Sequence, residues 1–177
     1  MRTSFAALIT LALIAFALSA AAATAPPAFG CPSSLAEYHQ FDFWIGNWEV
    51  RDPTGKAVVG HSRIEAISDG CGISENWHGA KGSNGVSYNA WDAQTKQWHQ
   101  FWIGNNPDGV LALAGGIEQG SMVLNGQRNS ASGKAQRQRI TWTPNKDGSV
   151  RQHWETSDDG GKTWVTAFDG IYRKEAG

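Results

Sequence analysis

Apolar and polar residues alternate one by one along most of the chain, in short stretches that end at Gly, Asn or Asp. The segment Gln97-Trp98-His99-Gln100-Phe101-Trp102-Ile103-Gly104 shows this most clearly. A period of two places successive side chains on opposite faces of a strand. Strand signals of this kind fall at 43–51, 56–68, 73–79, 86–91, 97–104, 110–114, 121–125, 136–143, 149–156 and 163–174. Between them lie turn sequences such as Asp52-Pro53-Thr54-Gly55 and Pro144-Asn145-Lys146-Asp147-Gly148. The one helical signal is a turn at 34–40, with Ser33 or Ser34 as its N-cap. A meander of nine to ten short strands becomes a sandwich or an up-and-down barrel. The barrel is preferred, because consecutive hairpins need no crossover and no immunoglobulin-type Cys–Trp framework is present. The expected fold is therefore all-β: an antiparallel up-and-down β-barrel over 41–177, preceded by a linker and short helical turn at 24–40.

Composition adds a compartment and a core. Met1-Arg2-Thr3 is a short basic start, 4–18 is mostly apolar, and 19–25 is a run of small residues. That order is the pattern of a secretory signal peptide, cleaved after about Ala23, and it predicts a periplasmic or secreted protein. The apolar run is short for a membrane span, and no later stretch is long enough, so no integral membrane segment is expected in the mature chain. Lys plus Arg number 15 and Asp plus Glu 16, interspersed, which leaves no basic stripe for nucleic acid. In an exported chain the two cysteines, Cys31 and Cys71, are most simply a disulfide. Closing a loop of about 40 residues contributes roughly 3–4 kcal/mol on chain entropy. Nine residues are Trp. One domain cannot leave that much aromatic surface in water, so most belong to the core.

Three stretches carry resemblances. Ser157-Asp158-Asp159-Gly160-Gly161-Lys162-Thr163-Trp164 resembles the Asp-box of sialidases and other propellers, which implies a hairpin turn with Asp accepting backbone N–H groups and Trp packed beneath. Phe41 to Val50, with Gly46-x-Trp48 entering the first strand, looks like the opening of calycin-type, lipocalin-like barrels, where that Trp plugs the bottom. With Glu75-Asn76-Trp77-His78-Gly79, the Tyr88–Trp102 hairpin and the stretch from Trp164 to Arg173, most of the mature chain resembles the DUF1579-like families of uncharacterised secreted bacterial proteins. That resemblance implies the barrel and no particular activity. The related nitrobindins bind haem through a His on their C-terminal strands. The last strand here has no His, and His153 is the only candidate nearby. No cofactor is expected.

The chemistry that remains is that of a pocket. Ile73, Glu75, Trp77 and Gly79 share one face of their strand, so an inward Trp77 brings Glu75 inward with it. A buried carboxylate needs a partner. Arg139 or Arg151 could supply one, making an internal ion pair or an anchor for an anionic ligand; alternatively these charges lie on the outer face, paired across strands. The leading expectation is a binding barrel for a small, partly apolar molecule with a polar or anionic group. Its pocket would be lined by Trp77, Tyr88, Trp102, Trp142 and Trp154, with Glu75 and Arg139 as anchors. The alternatives are a barrel hydrolase or isomerase using Glu75 or His78, and an envelope interaction protein. No H-E-x-x-H, C-x-x-C or G-x-S-x-G motif occurs, so neither a metal site nor a serine nucleophile is expected.

Overall fold

Ten strands form: β1 Gly46–Arg51, β2 Val58–Ile67, β3 Gly72–Gly79, β4 Asn84–Asp92, β5 Gln97–Gly104, β6 Val110–Glu118, β7 Ser121–Asn129, β8 Ala135–Pro144, β9 Val150–Ser157 and β10 Val165–Lys174. The structure is a computed structural model and describes residues 30–31, 34–107, 109–130 and 132–175. The segment 1–23, which the sequence pattern reads as a signal peptide, lies outside the described residues. Each strand pairs antiparallel with its sequence neighbours, and β1 pairs with β10, as in Val50 opposite Tyr172. The sheet is thus the closed up-and-down barrel that the alternation predicts. Closure leaves no strand edge unpaired.

Aspartates build several of the turns. Asp52 Oδ1 accepts the N–H groups of Lys56 and Ala57, and Asp92 Oδ1 that of Gln94. Asp159 accepts the N–H groups of Lys162 and Thr163 and the hydroxyls of Ser157 and Thr163. These donors, the Thr163 hydroxyl foremost, hold its carboxyl well below the usual range. Trp164 donates Nε1 to Gly161 O at 3.1 Å. The Asp-box stretch is thus a turn.

Three local expectations need correction. Residues Asp42–Trp44 form a short 3-10 turn, so β1 starts at Gly46 and Trp44 is not a strand residue. The helical turn is Ala36–His39, capped by Leu35 with no side-chain bond. Ser34 is therefore not its cap, and Ser33 lies outside the described residues. Strand β6 runs through Gly115 and Gly116, which reads in the sequence as a break because Gly is poor in strands. At Gly115 the missing side chain is required: a Cβ would stand 2.1 Å from Val123 O on β7.

The 3-10 turns Ala36–His39 and Asp42–Trp44 close one end, here called the floor. Phe41 and Trp44 enter it stacked at 5.0 Å and meet Trp142 at 5.1 and 5.4 Å. Trp48 and Trp98 complete the cluster, and all five rings are at most 1% exposed. Each indole removes about 150–250 Å² from water, on the order of 4–6 kcal/mol at about 25 cal/mol per Å² before ordering costs. Trp48 donates Nε1 to Trp44 O at 2.8 Å, and Trp98 donates to Glu37 O and Gln40 Oε1, each at 3.2 Å. A disulfide joins Cys31 to Cys71 in the β2–β3 connection at the same end. The sequence echo Phe43-Trp44-Ile45-Gly46-Asn47 and Phe101-Trp102-Ile103-Gly104-Asn105 therefore has no structural counterpart. Trp44 sits in the floor, and Trp102 stands at the opposite end of the barrel.

Candidate functional site

Strand alternation decides what faces the lumen. On β3 the inward residues are Ile73, Glu75 and Trp77; on β4, Ser87 and Asn89; on β5, Trp98, Gln100 and Trp102. Strand β10 carries an irregularity between Thr166 and Phe168, which sets Phe168, Gly170 and Tyr172 inward. The floor rings fill the lower barrel. Above them the lumen is hollow, a cavity of about 780 Å³ open at the other end. That size is ordinary for a small-molecule site.

Glycines set the position of two walls. A Cβ on Gly60 would stand 2.4 Å from the Trp77 ring, and one on Gly85 would stand 2.3 Å from the Trp102 ring. Each indole therefore lies across a bare stretch of the adjacent strand and widens the lumen instead of crossing it. Phe168 packs edge-on against Trp77 at 5.8 Å. Trp154 completes the aromatic wall, donates Nε1 to Gln138 Oε1 at 2.8 Å, and carries the Arg128 guanidinium 5.5 Å above its ring.

Glu75 sits deep in this cavity, 4% exposed. Ser62 Oγ donates to its Oε1 at 2.9 Å and Ser87 Oγ to its Oε2 at 3.2 Å. Burial pushes its carboxyl up to about 7, against the opposing effect of the hydrogen bonds from Ser62 and Ser87. The Tyr172 hydroxyl is pushed well above its ordinary value, by burial first and by the adjacent Glu75 second. It donates to Gln152 Oε1. Around this level runs a belt of amides: Asn89 donates to Ser87 Oγ and Ile73 O, Gln100 to Asn89 Oδ1, and Gln138 to Gln136 Oε1. The belt separates the aromatic floor from the aromatic upper wall.

Of the residues selected from sequence, Glu75, Trp77, Trp102 and Trp154 line the cavity together. Trp142 is interior but belongs to the floor, packed on Phe41 and Trp44. Tyr88 and Arg139 are corrections. Tyr88 is 54% exposed on the outer face, because Ser87 and Asn89 take the inward positions of β4. It borders a shallow outer depression of about 390 Å³ with Phe101. Arg139 also points outward, bonded to Glu155 Oε2 at 2.9–3.1 Å and lying 4.1 Å over Trp164. Arg151 is outside too, paired with Asp169. Charges on these strands pair across the outer face, and Glu75 has no Arg139 partner. His78 is exposed beside Asn84, on the face of β3 opposite to Glu75, so it cannot act in the cavity. His153 lies near Thr166 and Glu155. Among the described residues no cluster of His, Cys, Asp and Glu could hold a metal ion.

Sequence reasoning missed Phe168, Gln100, Gln138 and Gln152. A usable signal existed for the amides. Gln100 has the parity of Trp98 and Trp102, Gln138 that of Trp142, and Gln152 that of Trp154. No family model matches the chain, and no curated protein matches it.

Proposed function

We propose that the protein is an exported binding barrel for a small, partly apolar molecule with a polar head. The carrying observation is the hollow upper barrel, a cavity of about 780 Å³ with aromatic walls and one buried carboxyl at its depth. A sealed floor makes it a vessel with one mouth. Filled cores pack to high density, so a void of this size in a barrel with a complete lower core favours an occupant. Export is supported by the N-terminal pattern of 1–23 and by the disulfide. Kinship with the DUF1579-like group rests on the Phe41–Val50 opening and the other stretches named above.

Binding is tested by native mass spectrometry of protein purified from its own host, together with titration by pyrenylmethanol. Pyrene absorbs where tryptophan emits, so a bound probe draws energy from Trp77, Trp102 and Trp154. A protein that carries nothing and gives no transfer overturns the proposal. Export is checked by the mass of the mature chain, expected to begin after about Ala23.

A further inference from the structure

The chemical class of the ligand can be narrowed from the charges around the cavity, given the binding role proposed above. Among the described residues, Glu75 is the one acidic side chain at the amide-belt level of the lumen. Its flanking strands give it hydroxyls, Ser62 from β2 and Ser87 from β4, while the nearby Tyr172 hydroxyl on β10 donates to Gln152. Both serines already donate to its two oxygens, an arrangement that suits the anion. Among the described residues, no Lys, Arg or His forms an ion pair with it. The other charged residues bordering the cavity are Asp52, Lys81, Arg128 and Asp169. Asp52 and Lys81 belong to the connections at the mouth, Arg128 lies over Trp154, and Asp169 is held by Arg151. The amides at the depth are bonded to one another and to Trp154. An anionic head would thus meet a carboxyl with no cation beside it, and a neutral head would meet serine hydroxyls already committed.

We infer that the ligand carries a protonated amine, seated against the Glu75 carboxylate, with its apolar body between the Trp77, Trp102 and Trp154 indoles. The amine supplies the counter-charge that no described residue places in an ion pair with Glu75. The ring faces add cation–π attraction, which grows when the site is shielded from water.

The test compares three probes with one ring system and different heads: pyrenylmethylamine, pyrenylmethanol and pyrene carboxylate. Each is titrated into the full mature chain and read by energy transfer from tryptophan. The amine is expected to bind about tenfold or more tighter than the alcohol, one decade in Kd corresponding to one hydrogen bond between charged groups. The carboxylate is expected to bind more weakly than either. The amine stays protonated throughout the range, whereas Glu75 titrates at about 7. Affinity for the amine should therefore rise about tenfold from pH 6 to pH 8, as the fraction of ionised Glu75 rises. Glu75→Gln should flatten that rise and equalise amine and alcohol, with near-ultraviolet circular dichroism confirming the fold. Equal binding of amine and alcohol by the wild-type chain overturns the inference and leaves the binding role standing. So does an amine affinity that falls with pH, which would make Glu75 a neutral hydrogen-bond donor. Failure of all three probes to bind, by a protein that also carries nothing from its host, overturns both.

Discussion

Replacing Glu75 by Gln should alter how the stability of the empty protein depends on pH. The carboxyl titrates near 4.5 in an unfolded chain and at about 7 in the folded one, because burial disfavours its charge. Between those values the folded state holds a proton that the unfolded state has released. The contribution is therefore fully present below 4.5 and is lost as pH rises through about 7. At about 1.4 kcal/mol per pH unit, this one group makes the wild-type chain about 3 kcal/mol less stable at pH 8 than at pH 4. Gln has nearly the same shape, can hydrogen-bond to Ser62 and Ser87, and does not titrate. Urea denaturation of both proteins at matched ionic strength, from pH 4 to pH 8, gives the difference in unfolding free energy. Other titrating groups cancel in that difference. The variant should gain on the wild type steadily with pH, by about 3 kcal/mol in total. A difference that stays flat, or that moves in favour of the wild type with pH, would refute the burial of an ionisable Glu75.

Further expectations concern the floor, the walls and the outer face. Reducing the Cys31–Cys71 bond, or replacing both residues by Ser, should cost about 4 kcal/mol for a closed loop of this length, seen as a lower melting temperature; an unchanged midpoint would contradict it. Trp98→Phe should cost about 1–2 kcal/mol more than Trp142→Phe, because Trp98 Nε1 has two acceptors while Trp142 Nε1 is buried without one; urea midpoints decide. Gly85→Ala should push the Trp102 ring from its place, lower stability and weaken pyrenylmethanol binding; full binding would show that the wall does not depend on the bare strand. Arg139→Ala should leave probe affinity unchanged, because the side chain lies outside with Glu155 and Trp164. A lost affinity would return it to the site.

The barrel was legible because period-two alternation and turn residues are local signals, and ten short strands joined in series have few ways to close. The shared face of Glu75 and Trp77 was legible for the same reason. Alternation states which residues lie together; it does not state which face is inside. Tyr88 is named in the pocket from sequence, yet its neighbours Ser87 and Asn89 hold the lumen positions. Trp142 and Arg139 are three residues apart on one strand, so both could not enter the same pocket, and parity alone would have sent Arg139 outside. The same parity separates His78 from Glu75. The amide belt escaped notice because an isolated Gln reads as a surface residue. Its burial depends on partners from neighbouring strands, such as Asn89 for Gln100 and Trp154 for Gln138. The 3-10 turn that carries Trp44 into the floor is set by tertiary packing, which no local period reports.

The plug and its covalent tie leave the opposite rim unburdened. The connections 52–57, 80–83, 105–109, 130–134 and 158–164 gather there, and none of them supplies a ring to the sealed base. Such a rim can lengthen, shorten or change charge while the foundation stays put. One frame of this kind is thus suited to change at one end without disturbance at the other.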